Sequence, residues 1–162
     1  MTLEFTLNGE AVMTEAQANT RLIDIVRGRP FSLTGAKTGC LIGVCGACSV
    51  IFNGKVIKSC LIPAFRVQGS DIITIEGFAK TGEYQDILGG FEKAGVEPCG
   101  YCNTGKILIA QAILAKNRQP TRNDILPKLG GIRCRCTEPE SLIEAVLAAA
   151  DIRQRRIYGR TA

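Results

Sequence analysis

The sequence has 162 residues, of which 46% are hydrophobic and 22% charged, a composition typical of a folded globular chain rather than a disordered or fibrous one. It contains 8 cysteines and no histidine, which excludes a Ser-His-Asp or Cys-His catalytic pair, a histidine-ligated zinc and a Rieske centre. The formal net charge is +5, but with only 6% aromatic residues the chain lacks the composition of a nucleic-acid-binding face, and no nucleic-acid partner is expected.

Residues 1–76 predict short strands around a single helix. Apolar residues alternate over 3–7, and the Asn8-Gly9 turn leads into a return strand over 10–14, a pattern typical of a β-hairpin. Asn19 or Thr20 is positioned to cap a helix over 22–26 that ends at Gly28. The further predicted strands are 48–52, 56–57 after the Asn53-Gly54 turn, and 72–75.

Residues 77–162 predict helices, after a loop over 76–83. Helices are expected over 104–117, from the capping box of Thr121 and Asp124 to residue 129, and from a capping box of Thr137 and Glu140 onward. The last helix is apolar on nearly every side, which suggests burial against more than its own domain. Residues 151–162 carry four arginines and are interpreted as a solvated or subunit-docking tail. The chain is therefore predicted to be α+β, with domains at 1–76 and 77–162.

The two ends of the chain give no sign of a membrane or export segment. The N-terminus lacks a basic region followed by an apolar core, and no apolar run approaches the roughly 18 residues of a membrane span. The chain by itself is expected to be cytoplasmic, although a partner subunit could carry an export signal. Structural disulfides are disfavoured in a reducing compartment, so the cysteines indicate metal binding or redox chemistry.

The first cysteine group consists of Cys40, Cys45, Cys48 and Cys60. A Cys-x4-Cys-x2-Cys spacing followed by a distant fourth cysteine is that of the plant-type ferredoxins, which hold a two-iron cluster. Glycines at 39, 43 and 46 allow the backbone to curl tightly and to direct N–H groups at the sulfurs. Zinc is the weaker interpretation, because zinc sites usually use two close Cys-x2-Cys pairs.

The second cysteine group consists of Cys99, Cys102, Cys134 and Cys136. Its two-pair spacing permits a structural zinc as well as an iron–sulfur cluster. Two predicted helices begin just after Cys102 and Cys136, and their N-termini favour thiolates at either site. Three basic residues flank the two groups and are expected either to stabilise reduced clusters or to face solvent or a partner: Lys37, Arg133 and Arg135.

At these motifs the chain resembles the iron–sulfur subunit of the molybdenum hydroxylases, the family of xanthine dehydrogenase, aldehyde oxidoreductase and carbon monoxide dehydrogenase. The residues that carry the resemblance are the 39–48 segment, Ser59-Cys60, Cys99-Gly-Tyr-Cys102 with Gly105, and Cys134-Arg-Cys136. The resemblance implies a β-grasp ferredoxin-like domain that holds one [2Fe–2S] cluster on the first cysteine group. It also implies a C-terminal helical domain that holds a second [2Fe–2S] cluster on the second cysteine group.

The resemblance also implies a function without catalytic residues in this chain. Electrons from the molybdenum site would pass through both clusters towards FAD on a medium subunit or towards a cytochrome subunit. Molybdopterin would lie on a large partner subunit or at the interface with it. The alternatives are a free-standing two-cluster electron carrier and a protein with one cluster and one structural zinc.

The chain departs from the family pattern around the second cysteine group. Pro98 stands where family members have a Gln that contacts the pterin, and a proline offers no side-chain donor. The neighbouring residues Asn103-Thr104, Ile132-Arg133 and Glu138-Pro139 also differ. All of these changes leave the cysteines intact, so they bear on how the pterin is held.

Overall fold

A computed structural model of the chain describes residues 1–97 and 99–159. Five strands form one mixed sheet in the order β2-β1-β5-β3-β4, in which β1 and β5 are parallel and the other neighbours antiparallel. The strands are β1 (Thr2–Leu7), β2 (Glu10–Glu15), β3 (Ser49–Phe52), β4 (Lys55–Lys58) and β5 (Asp71–Ile73). Both predicted hairpins, β1–β2 and β3–β4, are present at the predicted positions.

Six α-helices accompany the sheet in the part of the chain that the structure describes, and the predicted α+β class is confirmed. They are α1 (Leu22–Arg27), α2 (Ile75–Phe78), α3 (Gly82–Lys93), α4 (Asn103–Lys116), α5 (Arg122–Leu129) and α6 (Pro139–Tyr158). Short 3-10 turns cover Ser59–Leu61 and Ala64–Arg66. None of the helices described within residues 1–97 and 99–159 has the length and apolar character needed to cross a membrane.

The chain has two main apolar cores that meet at the sheet. One lies between the sheet and α1, where Leu3 and Leu22 are fully buried. The other lies among the helices that follow Ile75, where Leu108 and Ile143 are fully buried. Side chains of β3, β4 and β5 pack against this helical core, so the helices cover part of the sheet.

The predicted loop over 76–83 is wrong, and so is the extension of the last strand to residue 75. The strand β5 ends at Ile73, and the single turn of α2 follows because it carries Phe78 into the helical core. The next helix, α3, was not predicted. Thr81 caps it by accepting a hydrogen bond from the Tyr84 backbone N–H at 3.2 Å.

Two predicted helix caps are wrong and one is confirmed. The N-cap of α1 is Arg21 rather than Asn19 or Thr20, and no side chain caps it. The N-cap of α6 is Glu138, which leaves Thr137 outside the helix. The capping box of Thr121 and Asp124 is present at the start of α5.

The final helix is longer and better covered than the sequence suggested. Its apolar residues, among them Leu142 and Val146, are buried by other helices of the second half of the chain, so the expectation of burial against more than its own domain is wrong. The tail interpretation is wrong for Arg153, which is buried beside Asp86 in a helix that continues to Tyr158, whereas residues 155–159 are exposed as a solvated segment would be. Residues 160–162 lie outside the described part of the chain.

Candidate metal centres

The β3–β4 hairpin assembles the deep side of the first cysteine group. Cys48 directly precedes β3, and Cys60 lies in the 3-10 turn that follows β4. Ser59 ties the two ends together, since its backbone N–H and its hydroxyl both donate to the Cys48 carbonyl, at 3.2 and 2.7 Å. Both thiols are buried, and the distant fourth cysteine therefore returns to the loop as the spacing predicted.

The loop over residues 40–48 directs backbone amides at sulfur. The N–H groups of Val44 and Cys45 donate to Cys40 Sγ at 3.2 and 3.3 Å, and the Cys40 N–H donates to Cys45 Sγ at 3.4 Å. Hydrogen bonds from Cys45 and other backbone amides lower the pKa of Cys40 to about 6. Burial and then the adjacent Cys48 thiol raise the pKa of Cys60 to about 11. Cys40 is thus prepared to be a thiolate, while Cys60 needs a bound cation to lose its proton.

Gly39 and Gly46 are both required by space, and Gly46 is also required by its backbone conformation. A Cβ on Gly39 would lie 2.7 Å from Cys45 Sγ. Gly46 has a φ of +76°, and a Cβ there would lie 2.6 Å from the Gly131 carbonyl oxygen. The sulfur loop and the helical part therefore approach each other at backbone contact.

The second cysteine group lies at the start of α4 and in the segment that leads into α6. Cys102 is the N-cap residue of α4, and Cys134 and Cys136 lie in the connection between α5 and α6. The Cys136 N–H donates to Cys134 Sγ at 3.3 Å. Burial tends to raise the pKa of Cys134, but hydrogen bonds from the Cys136 N–H and from Cys102 lower it to about 7. Cys102 is buried, which raises its pKa to about 11, whereas Cys99 and Cys136 are exposed.

Within each group the thiols affect one another's pKa. A side-chain hydrogen bond to Cys45 lowers the pKa of Cys40 and one to Cys48 raises that of Cys60, while hydrogen bonds to Cys99 and Cys134 raise the pKa of Cys136 and Cys102. In the described ranges, no group of three or more Cys, Asp or Glu side chains is arranged to hold a single metal ion. The cysteines of each predicted group therefore lie close enough to perturb one another's pKa.

The two cysteine groups are connected through their backbones. The Arg133 N–H donates to the Cys45 carbonyl at 3.2 Å, so a residue bonded to Cys134 contacts a cysteine of the first group directly. Thr104 in α4 donates its hydroxyl hydrogen to the Gly35 carbonyl at 2.7 Å. Tyr101 donates to the Thr38 carbonyl at 3.1 Å. The two sites are therefore adjacent and held in a fixed relation.

A buried charged residue beside the second cysteine group is one that the sequence analysis missed. Lys106 is fully buried in the first turns of α4, and its Nζ donates to Thr137 Oγ1 at 2.7 Å. Of the three basic residues that were predicted, Lys37 is half-buried, and Arg133 and Arg135 are exposed. A lysine in a helix start followed by apolar residues was the available signal, because a helix N-terminus disfavours cations.

Comparison with known proteins identifies the family. Residues 74–147 match a family described as a [2Fe-2S] binding domain. The chain is 44% identical over 137 residues to the nicotinate dehydrogenase small FeS subunit of Eubacterium barkeri, covering 85% of this chain and 87% of that one. It is 37% identical to the xanthine dehydrogenase iron-sulfur-binding subunit of Escherichia coli O157:H7, covering 91% and 92% of the two chains.

The chain belongs to the iron–sulfur subunits of the molybdenum hydroxylases. Its structure agrees, with a TM-score of 0.84 and 33% identity to a chain of quinoline 2-oxidoreductase from Pseudomonas putida 86, over 96% of each chain. This iron–sulfur subunit is thus part of an oxidoreductase, with an electron-transfer role, an iron–sulfur cofactor and larger partner subunits. Pro98, at the family's glutamine position, lies outside the described residues.

Proposed function

We propose that this subunit holds two [2Fe–2S] clusters, one on each cysteine group, and relays electrons between larger subunits. The ligands would be Cys40, Cys45, Cys48 and Cys60 for one cluster and Cys99, Cys102, Cys134 and Cys136 for the other. A large partner subunit would carry molybdopterin and supply electrons to the second cysteine group. A flavin or cytochrome subunit would accept the electrons from the first cysteine group. Each cluster would belong to its own domain, at residues 1–76 and 77–162.

The hydrogen bond from the Arg133 N–H to the Cys45 carbonyl carries this proposal. It joins the backbone of one proposed ligand to the residue before another at 3.2 Å. A [2Fe–2S] cluster, when bound, takes up and releases one electron at a time. The chain's part is to hold two such groups next to each other, and this backbone link between the two cysteine groups does so.

The pairing of thiols supports two-iron clusters over zinc. A single zinc ion needs four ligands at similar distances around one centre. Two irons with bridging sulfides instead take two thiolates each, and in both groups the pKa of a shifted thiol is affected by a side-chain hydrogen bond to one other cysteine. Amide N–H groups directed at Cys40 and Cys134 suit the negative charge that such a cluster adds.

Two separate exposed surfaces support a relay between partners. Cys99 and Cys136 are exposed at one side of the second cysteine group, where a partner subunit could approach the cluster. Ile42, Leu61 and Phe65 are exposed apolar residues in or near the loops of the first cysteine group. Exposed apolar residues beside a redox site are typical of a protein-docking surface. Because the cysteine usage suits a reducing compartment, we place this relay in the cytoplasm.

The test is electron paramagnetic resonance of the reduced full chain with iron and sulfide analysis. We expect about four irons per chain and two distinct signals. Cys45→Ser should remove one signal and Cys134→Ser the other, each variant serving as the other's control. About two irons with one zinc would replace the proposal by a mixed protein, and a colourless chain without iron would end it. Isolation as a stable, active monomer without partners would favour a free-standing carrier.

A further inference from the structure

A fully buried lysine links the two halves of the second cysteine group. Lys106 is the fourth residue of α4, and its Nζ donates a hydrogen bond to Thr137 Oγ1 at 2.7 Å. Thr137 directly follows Cys136 in the chain. One side chain thus joins the helix that begins just after Cys102 to the loop that carries Cys134 and Cys136.

The charge of Lys106 has no carboxylate partner within residues 1–97 and 99–159. None of the ion pairs in those ranges includes it, and the buried Asp86 is bound by Arg153 and Arg156. Burial of a charge without a counter-charge is costly. The position adds to the cost, because the first turns of a helix favour anions over cations. A residue kept against both effects needs a compensating negative charge nearby.

The sulfurs of the second cysteine group are in position to supply that charge. Burial and neighbouring N–H and S–H groups have the larger effects on the pKa values of the four thiols. Lys106 then lowers the pKa of each of them. Its ammonium therefore lies within electrostatic range of every proposed ligand of one cluster. A thiolate-bound cluster is negative, and one-electron reduction adds another negative charge to it.

We propose that Lys106 raises the reduction potential of the cluster on the second cysteine group by stabilising its reduced form. This inference rests on the two-cluster function proposed above. The interaction is strong because the ammonium is buried away from water, and the effective dielectric constant of the protein interior is low. Arg133 and Arg135 are exposed, so solvent and salt screen their charges far more.

The experiment is a redox titration of the iron-loaded full chain, followed by paramagnetic resonance of both signals. Lys106→Gln keeps a side-chain donor for Thr137 but removes the charge, and Lys106→Met removes both. In each variant we expect reduction of the second cluster to become at least tenfold less favourable, a downward shift of about 59 mV. The first cluster should keep its potential. Cys45→Ser and Cys134→Ser assign the two signals.

Lys116→Met is the matched control. Lys116 is exposed and lies ten residues further along α4, about 15 Å from Lys106 along the helix axis. The control makes the same charge change and should shift neither potential. Equal shifts in Lys116→Met and Lys106→Met would show a general charge effect and overturn the proposal.

The outcomes separate this inference from the proposed function. Two signals in the unaltered chain with unmoved potentials in Lys106→Gln would refute the role of Lys106 alone. A single signal in the unaltered chain would refute the two-cluster function itself. If both Lys106 variants lose iron from the second group only, the lysine serves cluster assembly rather than potential, and the proposal is wrong.

Discussion

Asp86→Asn should strongly destabilise the helical part of the chain. The Asp86 side chain is 2% exposed and accepts hydrogen bonds from Arg153 at 3.1 Å and from Arg156 at 2.8 Å. Removing one partner of a buried ion pair costs about 3–5 kcal/mol, because the other charge stays buried. Arg153 retains hydrogen bonds to the Glu83 carbonyl and to Gln111, so the lower end, about 3 kcal/mol, is expected.

Urea unfolding followed by far-ultraviolet circular dichroism measures this loss at matched iron content. With a denaturant slope of about 2 kcal/mol per molar, the midpoint should fall by roughly 1.5 M. Asp151→Asn is the control, since Asp151 pairs with Arg155 on the surface of α6 and such pairs contribute less than about 1 kcal/mol. Similar midpoints for the two variants would refute the assignment of Asp86 as a buried anchor.

The same ion pair predicts a pH dependence. Burial tends to raise the pKa of Asp86, but the hydrogen bonds and charges of Arg156 and Arg153 outweigh it, so the pKa lies below its ordinary value of 3.8. The native state therefore binds this proton less readily than the unfolded state. Its contribution to stability is complete above the unfolded pKa and is lost as the pH falls through the lower folded value. The difference between wild type and Asp86→Asn should shrink accordingly in acid and stay constant near neutrality.

Two further substitutions test the contact between the cysteine groups. A Cβ on Gly105 would lie 2.5 Å from the Gly46 carbonyl oxygen. Gly105→Ala should therefore lower the free energy of unfolding in urea by about 1–3 kcal/mol and broaden both resonance signals. Gly130→Ala is the control and should do neither, because its Cβ would make only an ordinary contact at 3.5 Å. Thr104→Val removes the hydroxyl that donates to Gly35 and should cost about 1–3 kcal/mol, whereas Thr104→Ser should keep most of that stability. Unchanged midpoints in both pairs would show that the interface is not tightly packed.

The first half of the chain was predictable because its signals are local. Alternating apolar residues and the two Asn-Gly turns place the hairpins without reference to the rest of the fold. The cysteine spacings likewise predicted both groups, since ligands of one cluster must be separated by short loops or by a returning element. The capping box at Thr121 was legible for the same reason.

The errors arose where tertiary contacts decide local structure. Gly89-Gly90 discourages a helix, yet α3 runs through it because Gly90 lets this helix approach α6, where a Cβ would lie 2.6 Å from the Ala149 backbone nitrogen. The arginines after Ala150 were interpreted as a solvated tail. Nothing in their spacing reveals that Arg153 binds Asp86, a residue 67 positions earlier in the chain. Neither partner can be inferred from its own segment.

Glycine and lysine break the local rules of a helix for different reasons in this chain. At Gly90 the absence of a side chain lets α3 pack closely against α6, and this packing within one core offsets the poor helix preference of glycine. At Lys106 no carboxylate within the described residues recovers the cost of a buried cation in the first turns of α4. A residue that violates helix preference and finds its compensation only in a cluster of thiols is better explained by the charge those thiols hold than by folding. Thr137 fits the same explanation. Its hydroxyl was expected to cap α6, but it accepts a hydrogen bond from Lys106 Nζ instead.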